Sequence, residues 1–83
     1  MKFGVYSLRD AKTGFLSPSF EISYAVAKRN LAHAVEVETG LLYTHGSDFD
    51  LYRLGEFDSD SGRLIPLEVP EFLVSVSSIV EGL

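Results

Sequence analysis

Ser23-Tyr24-Ala25-Val26-Ala27-Lys28-Arg29-Asn30-Leu31-Ala32-His33-Ala34-Val35-Glu36-Val37-Glu38 is the stretch on which the fold turns. Ser23 is a good helix N-cap, because its hydroxyl can accept a hydrogen bond from an unpaired amide of the first turn. Ile22 before it and Ala27 after it have the spacing of a hydrophobic staple. Tyr24, Ala27, Leu31, Ala34 and Val35 recur every three or four residues, which is one face of a helix, and Val26 and Val37 widen it. Lys28, Arg29 and Glu36 lie largely off that stripe, and Gly40 supplies a C-terminal stop. The spacing predicts a helix over 24–38, with alanines that let it pack closely on a sheet.

Toward the N-terminus, Lys2-Phe3-Gly4-Val5-Tyr6-Ser7-Leu8 has apolar residues at both parities. Alternate residues of a strand face opposite sides, so a strand over 2–8 should be internal in its sheet. Arg9 to Gly14 has turn composition. A second strand is expected over 14–21, and Pro18 puts it at an edge or breaks it. Toward the C-terminus, residues 41–47 read as a partly buried connection. A long strand over 48–57 should place Phe49, Leu51 and Phe57 on one side and Tyr52 and Leu54 on the other. Asp58-Ser59-Asp60-Ser61-Gly62 is a hairpin loop, and Arg63 to Leu67 returns as a strand. Pro66 puts this strand at an edge or ends it, and Val69-Pro70 breaks the chain again. Residues 71–80 fit a strand, an arm reaching a partner, or a short helix. The expected class is α+β, a small antiparallel-rich sheet with one helix on a face, in the order strand-strand-helix-strand-strand plus an apolar tail. Any parallel pairing of the strands that flank the helix would need a right-handed crossover.

With 83 residues the chain makes a single domain, 1–83. A hydrophobic share of 46% and a mean hydropathy of +0.15 are too apolar for a disordered chain. No apolar run approaches the ~20 residues of a membrane span, and Arg9, Asp10 and Lys12 interrupt the start before a signal-peptide apolar region forms. Without cysteine there is no disulfide framework or thiolate site, and two histidines do not make a structural zinc site. A soluble protein of a reduced compartment is expected. A domain this small buries only about 60–65% of its unfolded surface, so a homo-oligomer, most simply a dimer, is expected to cover the remaining apolar surface.

The charge of −5 is unevenly spread. Residues 1–33 hold Lys2, Arg9, Lys12, Lys28 and Arg29 against Asp10 and Glu21. The remainder holds only Arg53 and Arg63 against ten carboxylates. Overall acidity opposes wholesale nucleic-acid binding, which depends on cations neutralising phosphates, and serves solubility. A local basic face in the first third stays open.

The chemistry-bearing residue types form no catalytic pattern. His33 falls on the helix and His45 in the loop after it, without a surrounding motif. Asp58 to Gly62 begins like a calcium loop, but Gly62 holds the fifth position and Val69 the twelfth, where oxygen ligands are needed; ordinary turn chemistry accounts for it. Asp48, Asp50, Glu56 and Asp58 share one parity and read as a solvated acidic face beside Tyr52 and Leu54. No nucleophile elbow or phosphate loop is present. No enzyme activity, metal or cofactor is expected. Arg9 and Lys12 in the first turn, and Lys28 and Arg29 on the helix, are candidate phosphate contacts, with Lys2 weaker. Tyr6 and Tyr24 are candidate stacking residues, and Phe15 falls near them. Cations interleaved with aromatics suit single-stranded nucleic acid.

Beyond these patterns, Lys2-Phe3-Gly4-Val5-Tyr6-Ser7-Leu8-Arg9-Asp10, then Phe15 and Pro18-Ser19-Phe20, and above all Asp48-Phe49-Asp50-Leu51-Tyr52-Arg53-Leu54-Gly55-Glu56-Phe57-Asp58 running into Asp60-Ser61-Gly62, resemble the small nonstructural protein of gokushovirus-type microviruses, which are single-stranded DNA phages. Ser61 stands where a threonine is common in that family. The resemblance spans essentially the whole chain. It implies expression in the cytoplasm of an infected bacterium, absence from the virion, and a role in DNA binding or in the switch to single-stranded genome synthesis and packaging. It supplies no motif of assigned chemistry. The alternative is a protein-interaction module that offers its acidic second half, Asp48 to Asp60, to a phage or host replication protein.

Overall fold

A computed structural model describes residues 1–37 and 40–83. The elements are β1 (Lys2–Asp10), β2 (Gly14–Phe15), β3 (Ser19–Glu21), α1 (Tyr24–Val37), α2 (Leu41–Thr44), a single 3-10 turn (Gly46–Asp48), β4 (Phe49–Asp58), β5 (Arg63–Ser75) and α3 (Val76–Glu81). The α+β class and the antiparallel sheet agree with expectation, but the order is richer than strand-strand-helix-strand-strand. The second strand is split into β2 and β3, and the connection after α1 folds into a helical turn. The C-terminal stretch supplies both the end of a strand and a third helix. The end expected for α1 at Glu38 lies outside the described residues.

The curled sheet runs β2-β1-β4-β5, with β3 beside β2 on the same edge of β1, and every pairing is antiparallel. No crossover handedness therefore arises. β1 is the interior strand its two-sided apolarity predicted. The helix begins as its cap residue foretold: the Val26 amide donates to Ser23 Oγ at 3.3 Å. Ile22 is 60% exposed beside buried Ala27, so the staple adds little. Ala27, Leu31 and Val35, one turn apart, are buried against Tyr6, Phe49 and Leu51 of the sheet and Val76 and Ile79 of α3. Full burial of an aliphatic side chain is worth about 1.5–3 kcal/mol, so this one face of α1 fixes the layer order. α3 is capped in turn by Ser75, whose Oγ accepts from the Ser78 amide at 3.3 Å.

The sheet is irregular where Leu73 of β5 is an extra residue between the Val74–Leu51 and Phe72–Tyr52 pairs, and, more decisively, at Leu54. β1 pairs Val5 with Gly55 but Tyr6 with Arg53, so Leu54 is an extra residue. On the other side Arg53 meets Glu71 and Gly55 meets Pro66, leaving Leu67–Pro70 opposite Leu54 alone. A bulge shifts the side-chain alternation by one. Phe49 and Leu51 consequently face the helices, while Phe57 faces the opposite side, not the side it shares by parity. Asp50 and Tyr52 likewise part from Glu56 and Asp58, so the four carboxylates do not line one acidic face. Gly55 belongs to this crossing: a Cβ there would come within 2.5 Å of the Ile65 carbonyl oxygen.

Candidate nucleic-acid interface

Register divides the side chains of the sheet between two faces. On β1, Tyr6 and Leu8 point to the helices, and Phe3, Val5, Ser7 and Arg9 point the other way. Their register partners continue the second face: Phe57, Gly55, Tyr52 and Asp50 on β4, Phe20 and Phe15 on β3 and β2, then Leu64, Pro66 and Phe72 on β5. Five of the six phenylalanines, all but Phe49, fall on this side, together with Tyr52. The helices pack through a core that lies on the other side, so among the described residues no element covers this aromatic face.

The rings form two groups. Phe57 meets Phe3 at 6.5 Å and Phe20 at 5.4 Å between centroids; Tyr52 meets Phe15 at 5.3 Å and Phe72 at 5.9 Å. Three of the four contacts are edge-to-face, which aromatic quadrupoles favour. Phe15 and Phe20 stand on one flank of β1 and Tyr52 and Phe57 on the other, so the rings meet above β1. Val5 and Ser7 are accordingly buried beneath them. Ser7 Oγ is satisfied there by donating to the Leu16 carbonyl at 2.6 Å. Phe15, Phe20 and Phe72 nevertheless remain 44%, 48% and 54% exposed. The Arg9 guanidinium lies 5.9 Å from the Phe15 centroid, within cation–π reach. The face can therefore offer rings for stacking and one cation at its margin.

The expected site residues are not brought together. Arg9 is on the aromatic face, and Lys12 is in the adjoining turn, where its amide bonds Asp10 Oδ1 at 2.8 Å. Lys28 flanks α1 beside Ala32, Val74 and Ile79 on the opposite side of the sheet. Arg29 follows it on the exposed surface of the same helix. Lys2 pairs with Asp58, whose parity also sets it on the helix side. Tyr6, expected to stack, is a core residue only 4% exposed, because its even parity turns it under α1. Tyr24 packs partly against the same core. The aromatics that sequence reasoning missed are Phe3, Phe20, Tyr52, Phe57 and Phe72. Strand parity signalled part of this set, but the extra residue at Leu54 hid the rest.

A separate cavity of about 480 Å³ opens where α1 passes the β2–β3 edge, with Tyr6, Leu31 and Leu51 inside and Ser17, Ser19, Glu21 and Asn30 around them. Burial pushes the Tyr6 phenol above its ordinary pKa, with Arg53 opposing and Glu21 adding to the shift. Asp58 is held below the usual carboxylate range, first by the Asp60 amide that donates to it at 2.9 Å across the hairpin turn. Among the described residues no three metal-ligating side chains gather, and no helix is long and apolar enough to cross a membrane.

Compared with known proteins, residues 3–79 match the sequence model of a family described as Phage ORF5 protein. No curated protein and no solved structure matches the chain.

Proposed function

The chain belongs to the Phage ORF5 protein family, and on that premise we propose that it is a phage accessory protein that binds single-stranded DNA through its uncovered aromatic face during viral genome replication. The setting proposed is the replication stage of a gokushovirus-type phage, in the bacterial cytoplasm. The observation that carries this reading is six aromatic rings on one open sheet face, with Arg9 stacked at its margin. Stacking on aromatic side chains is worth about 1–3 kcal/mol per base and tolerates any sequence. A face of this kind can hold a strand with few phosphate contacts, which accommodates a charge of −5. Arg9 and Lys12 are the proposed contacts on this side. Lys28 and Arg29 form a second, separate patch that a longer strand would have to reach around the molecule.

A second reading is favoured by the scarcity of charge on the same face, where Arg9 and Asp50 are opposed. An apolar face rimmed by polar surface also suits a protein partner or a second copy of the chain. Fluorescence anisotropy with single- and double-stranded oligonucleotides separates the two, using the variant Phe15→Ser with Phe72→Ser. Single-strand binding that weakens at least tenfold in the variant supports DNA. Absence of binding at ~100 μM protein, where even weak non-specific contacts register, with the fold intact, removes DNA and leaves the protein-interaction reading.

A further inference from the structure

The cavity beside α1 contains a polar group the fold does not use. Tyr6 is 4% exposed as a residue. Its hydroxyl makes no hydrogen bond to a described residue and is not an enclosed orphan, so it keeps access to the open space of the cavity. The ring folds back along β1, with Cε2, Cζ and Oη lying within 2.5–2.6 Å of where a Gly4 Cβ would stand. Only glycine at position 4 permits that course. Gly4 pairs with Glu21 across the β1–β3 edge, so the hydroxyl ends beside the Glu21 side chain. Glu21 in turn accepts a hydrogen bond from Asn30 Nδ2 at 3.3 Å. A phenol that donates or accepts, a carboxylate that accepts and an amide that does both therefore meet at one end of a cavity whose inner wall is Leu31, Leu51 and the tyrosine ring.

From this arrangement we infer that the cavity is a pocket for one nucleobase. Its volume, about 480 Å³, lies in the range of small-ligand pockets, about 300–1,000 Å³. One carboxylate and, among the described residues, no lysine or arginine line it. Arg53, the register partner of Tyr6, lies outside that lining and balances Glu21 at the hydroxyl end, so the cavity suits a neutral group better than a phosphate. The paired donor and acceptor of Tyr6 and Glu21 complement the adjacent acceptor and donor on the edge of an unpaired base, and the apolar wall takes its faces. Bases displayed on their edges in this way are available only from single strands. The inference rests on the single-stranded DNA reading for its ligand class, but it concerns a different side of the sheet from the aromatic face.

Amide chemical-shift titration of the full chain tests it, with deoxycytidine monophosphate, inorganic phosphate and a short dC oligomer as probes. The expected result is saturable shifts at Ser19, Glu21 and Asn30 with the nucleotide and none with phosphate. Tyr6→Phe, which keeps the ring and the core, should weaken the nucleotide about fivefold, the loss typical of one hydrogen bond. Glu21→Gln on the exposed rim should do likewise and guards against a folding defect in the first variant. Nucleotide shifts confined to the aromatic face, with oligomer binding intact, overturn the pocket and spare the DNA reading. Nucleotide shifts at the cavity without oligomer binding uphold the pocket and overturn that reading. Affinity unchanged in both variants overturns the pocket.

Discussion

Gly55 illustrates how much a single residue decides. Its backbone φ is ordinary, so no left-handed conformation calls for glycine. The requirement is spatial: the β5 chain crosses so closely that a methyl group would sit 2.5 Å from the Ile65 carbonyl oxygen and 2.9 Å from Pro66 Cα. Backbone cannot swing aside as a flexible side chain can. Gly55→Ala should therefore cost about 1–3 kcal/mol, the usual penalty of overpacking, seen as a lower urea midpoint. An unchanged midpoint would show that the bulge opens freely. The dihedrals of Gly55 alone would not have revealed this. Tyr6 teaches a related lesson. Its position on an interior strand was legible, but which face α1 would cover was not, and that choice converted an expected stacking residue into core.

At the scale of elements, α1 was the most legible, because cap, stripe and spacing agree within one local segment. β1 was legible as an interior strand for the same reason. The long hairpin was legible as two strands and a turn, with Gly62 at a φ of 75° closing the loop, but not in its facing. Period-two reading assumes an unbroken ladder, and bulges are tertiary events. Pro66 was read as marking an edge strand or its end, and the edge alternative holds. Pro70 was read as a break, yet β5 runs through it as well. Proline is tolerated in a strand where its nitrogen faces solvent, and β5 is the outermost strand. The two prolines thus strip donors from a free edge that carries exposed Leu64, Ile65, Val69 and Phe72, a recognised defence against edge-to-edge pairing. Pro66→Thr with Pro70→Thr should produce association that grows with protein concentration in sedimentation velocity. Sedimentation unchanged from the parent would assign the protection to the Leu67–Pro70 bulge instead.

On the scale of the whole molecule, the sheet divides the cations into two sets, Arg9 with Lys12 and Lys28 with Arg29. The sequence placed both sets in the first third of the chain, and nothing local distinguishes residues that share a face from residues on opposite faces. This division gives the DNA reading a quantitative signature. Binding through the aromatic side engages two cations, for which the logarithmic salt slope on single strands is about −1.4. Recruitment of Lys28 and Arg29 would roughly double it. Anisotropy titrations from low to moderate salt should give the smaller slope, and Lys28→Glu with Arg29→Glu should leave it nearly unchanged. A slope near −3 that falls in the double variant would instead make the helix surface the principal contact. The middle of β1, finally, is roofed on one side by α1 and on the other by rings from its neighbours. Its amides should therefore be among the slowest in the molecule to exchange with deuterium. The aromatic layer doubles as a seal, and a ligand that pried the rings apart would be betrayed by faster exchange at Val5 and Ser7 before any helix loosened.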